Sequence, residues 1–269
     1  MRQKAVIAVA LALTACGGGS NSASPPASPA TGNGGRSGAG PQIFALQGGG
    51  TLTLNGDGTV TFQQNGPAAT LSPNLVGSPT ISPAPGAPST TSPAFGWPGA
   101  TRFWQQTGSN TPTFVLERMG PAVGLSVSDF GAWANIDGST GVITNGGFFA
   151  GGIASGTTVP TTGSATYNGT YIADLKVHAE STAISGGIRL NANFTQSTIS
   201  STFTSGALAD HPTATGSITG PTFGAGGGSG LSSYTVTGQF YGANAAEATG
   251  AINGFAGTGG FSGSFGAKR

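Results

Sequence analysis

From Ile43 onward apolar and polar side chains alternate with a period of two, the pattern of strands with one buried and one solvated face. Thr51-Leu52-Thr53-Leu54 and Thr59-Val60-Thr61-Phe62-Gln63 flank Asn55-Gly56-Asp57-Gly58, which predicts a hairpin around a tight turn. Gly187 to Phe194 places Ile188, Leu190, Ala192 and Phe194 on one face and Arg189, Asn191 and Asn193 on the other. Tyr234, Val236, Gly238 and Phe240 alternate in the same way with Thr235, Thr237, Gln239 and Tyr241. Shorter runs at 165–172, 200–204, 215–219 and 261–266 repeat the theme between Gly, Pro, Asn-Gly and Asp-His-Pro breaks. Beyond the N-terminal apolar run no segment sustains helical periodicity over three turns, and 243–248 offers one turn at most. The pattern predicts an all-β fold of short strands, either an up-and-down barrel or a sandwich. Closure into a barrel would remove the edges that charge-poor strands otherwise leave open to aggregation.

The chain opens differently. Arg2 and Lys4 precede the apolar run Ala5 to Leu13, and small residues follow, which is the order of a secretory signal and too short to span a bilayer. Leu13-Thr14-Ala15-Cys16 resembles the bacterial lipobox, which implies acylation of the Cys16 thiol and cleavage in front of it. A multiply acylated N-terminus anchors a protein to a membrane without a spanning helix. Gly17, in place of an aspartate, points to the outer membrane. Residues 1–15 are therefore expected as a lipoprotein signal peptide and 16–41 as a disordered tether, since Gly17 to Gly40 holds no aromatic or large aliphatic side chain. Residues 42–112 read as the hairpin plus a Pro-rich region, because eight of the 17 prolines fall between Pro67 and Pro98 and interrupt any ladder that needs N–H donors.

Composition narrows the chemistry. Fifty glycines accompany 36% hydrophobic and only 6% charged residues, which is not the low-hydrophobicity, high-charge profile of a disordered chain. A net charge of +1 without a Lys/Arg cluster gives no footprint for nucleic acid. One cysteine and two histidines exclude a disulfide framework and make a zinc site hard to assemble, so no metal site is expected. His178, within Lys176-Val177-His178-Ala179-Glu180, reads as a surface position on a strand. His211, in the turn Ala209-Asp210-His211-Pro212, reads as a turn or surface residue and is the better candidate for an axial haem ligand, because loops carry function more often than strand faces. Asp210 beside His211 lacks a nucleophile elbow, and no enzyme activity is expected. Glu117-Arg118 reads as a solvated rim. Phe95, Trp97, Phe103 and Trp104 around Arg102 have the composition of an interface anchor, or alternatively of a small core plugging one end of the barrel.

Four separated motifs carry a resemblance. Gly238-Gln239-Phe240-Tyr241-Gly242-Ala243-Asn244-Ala245-Ala246-Glu247 and the closing Phe265-Gly266-Ala267-Lys268 resemble the last strands of the transferrin-binding protein B-like β-barrel family. Leu125 to Trp133 and Pro160 to Gly169 look like its early strands. The resemblance implies a single eight-stranded antiparallel barrel over residues 113–269, on a surface lipoprotein. It differs from the two-lobed family members, in which each lobe sets a handle domain beside a barrel, and the family's transferrin-contacting residues are not carried over to any matching position. Phe240 is expected to point into the barrel, and Glu247 to cap backbone N–H groups or pair with a base.

Together these readings lead to an expected outer-membrane, surface-exposed lipoprotein, monomeric and held to the membrane by its lipid. It would bind an iron-related ligand, either haem or a metal or haem carrier protein, with an outer-membrane receptor as a further partner. No resident cofactor is expected. Candidate ligand-binding residues are His211, Phe95, Trp97, Arg102 and Trp104. The alternative is a structural or adhesive envelope lipoprotein that binds a non-iron protein or a glycan.

Overall fold

The computed structural model describes residues 42–45, 51–54, 60–63, 69–71, 97–106, 112–137, 143–177, 180–230, 232–257 and 259–269. Their strands are, in chain order, β1 (Gln42–Ala45), β2 (Thr51–Leu54), β3 (Val60–Gln63), β4 (Ala69–Leu71), β5 (Thr101–Gln106), β6 (Pro112–Arg118), β7 (Ser128–Ile136), β8 (Ile143–Gly152), β9 (Ser164–Val177), β10 (Glu180–Asn193), β11 (Thr198–Phe203), β12 (Ala214–Thr219), β13 (Thr222–Ser229), β14 (Ser232–Tyr241), β15 (Glu247–Ala256) and β16 (Gly259–Lys268). Among the described residues the only helical segment is a 3-10 turn, Gly120–Val123. The all-β expectation holds.

Strands β9 to β16 form one closed antiparallel barrel in sequential order, with β16 pairing back onto β9. The eight strands are as expected, but the barrel starts at Ser164 and not at residue 113. Strands β5 to β8 pair only among themselves, as a separate four-stranded sheet. The expected hairpin forms, with Leu54 opposite Val60 and Thr51 opposite Gln63, and β1 and β4 widen it to a second four-stranded sheet. Cys16 and the tether, the 55–58 turn, Phe95, His178 and most of the Pro-rich stretch lie outside the described residues.

Register fixes the bore of the barrel. Following paired positions around the wall, Thr166 leads to Asn191, Ser200, Thr215, Gly226, Thr235, Asn253 and Ser262, and returns to β9 at Asp174. The return is displaced by eight residues, so the shear is eight for eight strands. That combination gives steeply tilted strands and an interior just wide enough for its own side chains.

The alternation supplies those side chains. Tyr167, Leu190, Phe194, Phe203, Phe223, Val236, Phe240, Ile252 and Phe265 are all buried in one continuous core. Phe240 points inward as expected, with its ring 4.8 Å from Phe223, 5.4 Å from Tyr167 and 5.6 Å from Phe194 between centroids. The β14–β15 connection is a tight turn in which Asn244 and Ala245 take positive φ angles of 55° and 54°. Two bonds hold this costly conformation: Ala245 N–H donates to Thr158 O at 2.7 Å, and the Tyr167 hydroxyl donates to Ala245 O at 2.6 Å. Burial pushes the Tyr167 phenol up, so it stays a donor at neutral pH.

The β5–β8 sheet lies against the outer wall at β15, β16 and β9. Strand β7 is buried along almost its whole length, with Phe130, Ala132 and Met119 meeting Ile172 of β9 in a second core. Gly266 makes this approach possible: a Cβ there would lie 2.5 Å from Phe130 Cε1. Ser264 Oγ donates across the same seam to Gly131 O at 3.1 Å.

Candidate functional site

The junction between sheet and barrel carries the densest polar chemistry. Glu247, at the start of β15, is 4% exposed and directs its carboxylate into the segment before β7. Oε1 accepts from Ser126 N–H at 2.6 Å and Ser126 Oγ at 2.8 Å. Oε2 accepts from Val127 N–H at 3.2 Å, Ser128 N–H at 2.9 Å and Ser128 Oγ at 2.7 Å. Three successive N–H groups converging on one carboxylate make an anion nest, occupied here by the protein's own side chain. The expected capping role of Glu247 is therefore met, on a segment far away in sequence.

A second buried carboxylate organises the turn before β7. Asp129 Oδ2 takes Arg118 Nε at 2.7 Å and Nη2 at 2.6 Å, while Oδ1 accepts from Gly120 N–H and Phe130 N–H, both at 2.8 Å. Burial pushes the Asp129 carboxyl up, and Arg118 with the two N–H groups pulls against that rise. Glu117 is fully buried and accepts from Trp97 N–H at 3.2 Å. This corrects the expectation of a solvated Glu117-Arg118 rim: neighbouring charges on a strand covered on both faces are retained because each has a buried partner.

Trp97 is also buried. Its ring packs with Met119, Phe130 and Phe148, and its indole N–H donates to Ile184 O on β10 at 3.1 Å. Trp97 thereby staples the sheet to the side wall of the barrel at β10 and does not plug its end. Arg102 and Trp104 lie on β5, opposite Glu117 and Val115. Of this group only Trp97 has a described side chain.

Asp174, which the sequence reading did not single out, sits on the outward face of β9 two residues beyond Ile172. Ser181 Oγ donates to its Oδ1, and Oδ2 is buried with no hydrogen-bond partner among the described residues. Burial pushes this carboxyl above its ordinary value of 3.8. The folded state then holds the proton more tightly than the unfolded chain, so the contribution of Asp174 to stability falls as pH rises from about 4 through the folded pKa. Asp174→Asn is expected to raise the melting temperature at pH 7.5, by about 1–2 kcal/mol of stability, and to give little or no gain at pH 4. A pH-independent difference between the two proteins in thermal melts would refute the assignment.

At the opposite end of the barrel from the 242–246 turn, the connection 204–213 folds back over the opening. Leu208 enters the core, and Leu208 N–H donates to the Tyr171 hydroxyl at 3.2 Å. The Tyr234 hydroxyl accepts from Ala214 N–H at 3.0 Å and donates to Ser201 O at 2.8 Å. His211 is in a turn as expected, yet only 8% exposed, edge-on to Phe203, Tyr234 and Phe261. Its Nε2 is hydrogen bonded to Phe255 O at 3.1 Å. The surface position read for His211 is thus corrected, because the loop that carries it turns inward to close the opening. As a haem ligand it would have to leave this packing. Asp210, beside it, is exposed. The plug was not legible because Leu208 is one aliphatic residue in a loop of small polar ones; the tyrosines were visible only as core residues.

Residues 159–269 match the family described as the C-lobe and N-lobe β-barrels of Tf-binding protein B. Among solved structures, a mutant transferrin-binding protein B from Haemophilus parasuis is 15% identical with a TM-score of 0.53, covering 89% of this chain and 46% of that one. An intact Ap-TbpB with N and C lobes gives 17% identity and a TM-score of 0.52, over 88% of this chain and 47% of that one. The chain thus spans less than half the length of these proteins, and the likeness is one of fold. No curated protein matches the sequence. The matched region opens just ahead of β9 and ends at Arg269, so the whole closed sheet of β9 to β16 lies within the match to the β-barrels of Tf-binding protein B.

Proposed function

We propose that this chain is a non-enzymatic binding lipoprotein, anchored through Cys16 to the outer membrane and exposed at the surface, which captures an iron-carrying protein for uptake. The observation that carries the reading is the family barrel at residues 159–269 with a second β-sheet fastened along its wall. The matched family is named for transferrin binding, and the two solved structures of like fold given above are transferrin-binding proteins. The packed interior supports a protein ligand over haem: a barrel of shear eight filled by Tyr167, Phe203, Phe240 and Phe265 has no room for a porphyrin. A partner of that kind is bound across outer surfaces and loops.

The test presents iron-loaded transferrin, haemoglobin and haemin to the purified full-length chain, and fluorescent forms of the two proteins to cells that express it. Saturable binding of one of the two proteins is expected, with no saturable Soret shift from haemin. Cys16→Ser should abolish the cell-associated signal and leave binding in solution intact. A saturable haemin shift without protein binding would replace this reading by haem capture, and binding of none of the three would sink it in favour of an adhesive role.

A further inference from the structure

The half of the barrel wall that no other described sheet covers carries an uncharged hydrogen-bonding grid. On β9 to β14 one outward row reads Thr166, Asn191, Ser200, Thr215, Gly226 and Thr235. The next reads Ser164, Asn193, Thr198, Ser217, Gly224 and Thr237. Ten of these twelve positions hold a hydroxyl or a carboxamide, two are glycine, and none is charged. The first charge is Arg189, one row further on, where its Nε donates to Asn168 Oδ1 at 3.2 Å. Solvent-facing surfaces of soluble domains ordinarily carry charge at roughly a quarter to a third of positions. Strand propensity accounts for the threonines and not for the asparagines, which strands disfavour.

An open, shallow groove lies over β9 to β12, lined by Thr166, Asn191, Ser200 and Thr215 together with Ala165, Ala192 and Ile199. Thr166 Oγ1 donates to Asn191 Oδ1 at 3.0 Å, which fixes the carboxamide and leaves its NH2 group without a partner among the described residues. Strands about 4.8 Å apart, with same-face residues about 6.6 Å apart along each, hold these groups at regular spacing.

We infer that this groove is a binding site for a neutral oligosaccharide. Sugar hydroxyls both donate and accept, as do the hydroxyls that line the groove, and a neutral chain matches a face that offers no counter-charge. A protein partner would want aromatic, aliphatic or arginine anchors, and a polyanion a row of cations, neither of which the grid supplies. The site lies on the barrel wall and stands independently of the carrier-binding proposal.

The full-length chain is titrated with maltohexaose, cellohexaose, chitohexaose and lacto-N-neotetraose, by saturation-transfer NMR and calorimetry, with a heparin hexasaccharide as the charged counterpart. At least one neutral sugar should saturate with a dissociation constant in the millimolar range or tighter. Asn191→Ala combined with Thr215→Ala should weaken that sugar about tenfold or more at unchanged melting temperature, since both side chains are exposed. No saturation by any of the four neutral sugars, equal affinity in the double variant, or preferential binding of heparin overturns the assignment.

Discussion

Glu247→Ala is expected to destabilise the protein by about 3–5 kcal/mol, which for a chain of this size lowers the melting temperature by roughly 10 °C or more. The carboxylate has five close donors, three of them the successive N–H groups of Ser126, Val127 and Ser128, and the residue is buried. Truncation leaves those N–H groups facing a small void. Each buried donor without an acceptor costs about 1–3 kcal/mol, discounted where water can enter. Glu247→Gln keeps the shape and one acceptor oxygen but turns an NH2 group toward donors, so it should recover only part of the loss. Hydrogen exchange separates this effect from general softening. Amides 126–128 should lose protection first in Glu247→Ala, while those of Leu190, Val236 and Ile252 inside the barrel ladder keep theirs until global unfolding. Uniform loss across both sets would mean that Glu247 supports the barrel itself and not its junction with the sheet.

How far the sequence disclosed this arrangement depended on whether the cause was local. Ile188 to Phe194 and Tyr234 to Tyr241 alternate cleanly because each strand has one core face and one solvated face, so their period was visible without any partner. Strand β7 lacks that contrast. It is covered by β6, β8 and the barrel wall, and Phe130, Gly131, Ala132, Trp133 and Ala134 are buried in unbroken succession. Such a strand reads the same whether it closes a barrel or lies against one, so nothing in its pattern opposed the resemblance that placed the start of the barrel near residue 113, when its first strand is β9. Glu247 was legible as a cap for backbone N–H groups, but not which ones, since its partners lie about 120 residues earlier. The aromatics around Trp97 had an interface's composition; only the wall of β10, with Ile184 O waiting for the indole N–H, decides that Trp97 faces inward. Asp174 and the 204–213 plug depend wholly on tertiary closure.

Gly266→Ala is expected to cost about 2–3 kcal/mol by overpacking, through a side chain on another sheet. The new methyl would sit 2.5 Å from Phe130 Cε1, and Phe130 is fully buried among Trp97, Met119, Phe148 and Ile172, so its ring cannot swing into solvent without lifting β7 from the wall. Phe130→Ala on its own should cost about 3–5 kcal/mol for the lost contacts and the cavity left behind. The two changes address the same space, so in the double variant the methyl introduced on β16 fills part of the cavity. The combined loss should fall short of the sum of the single losses by at least about 1 kcal/mol in chemical denaturation. Additive losses would show that Gly266 is required for the geometry of β16 itself, where its backbone pairs with Thr249 and Thr170, and not as the seat of the Phe130 ring.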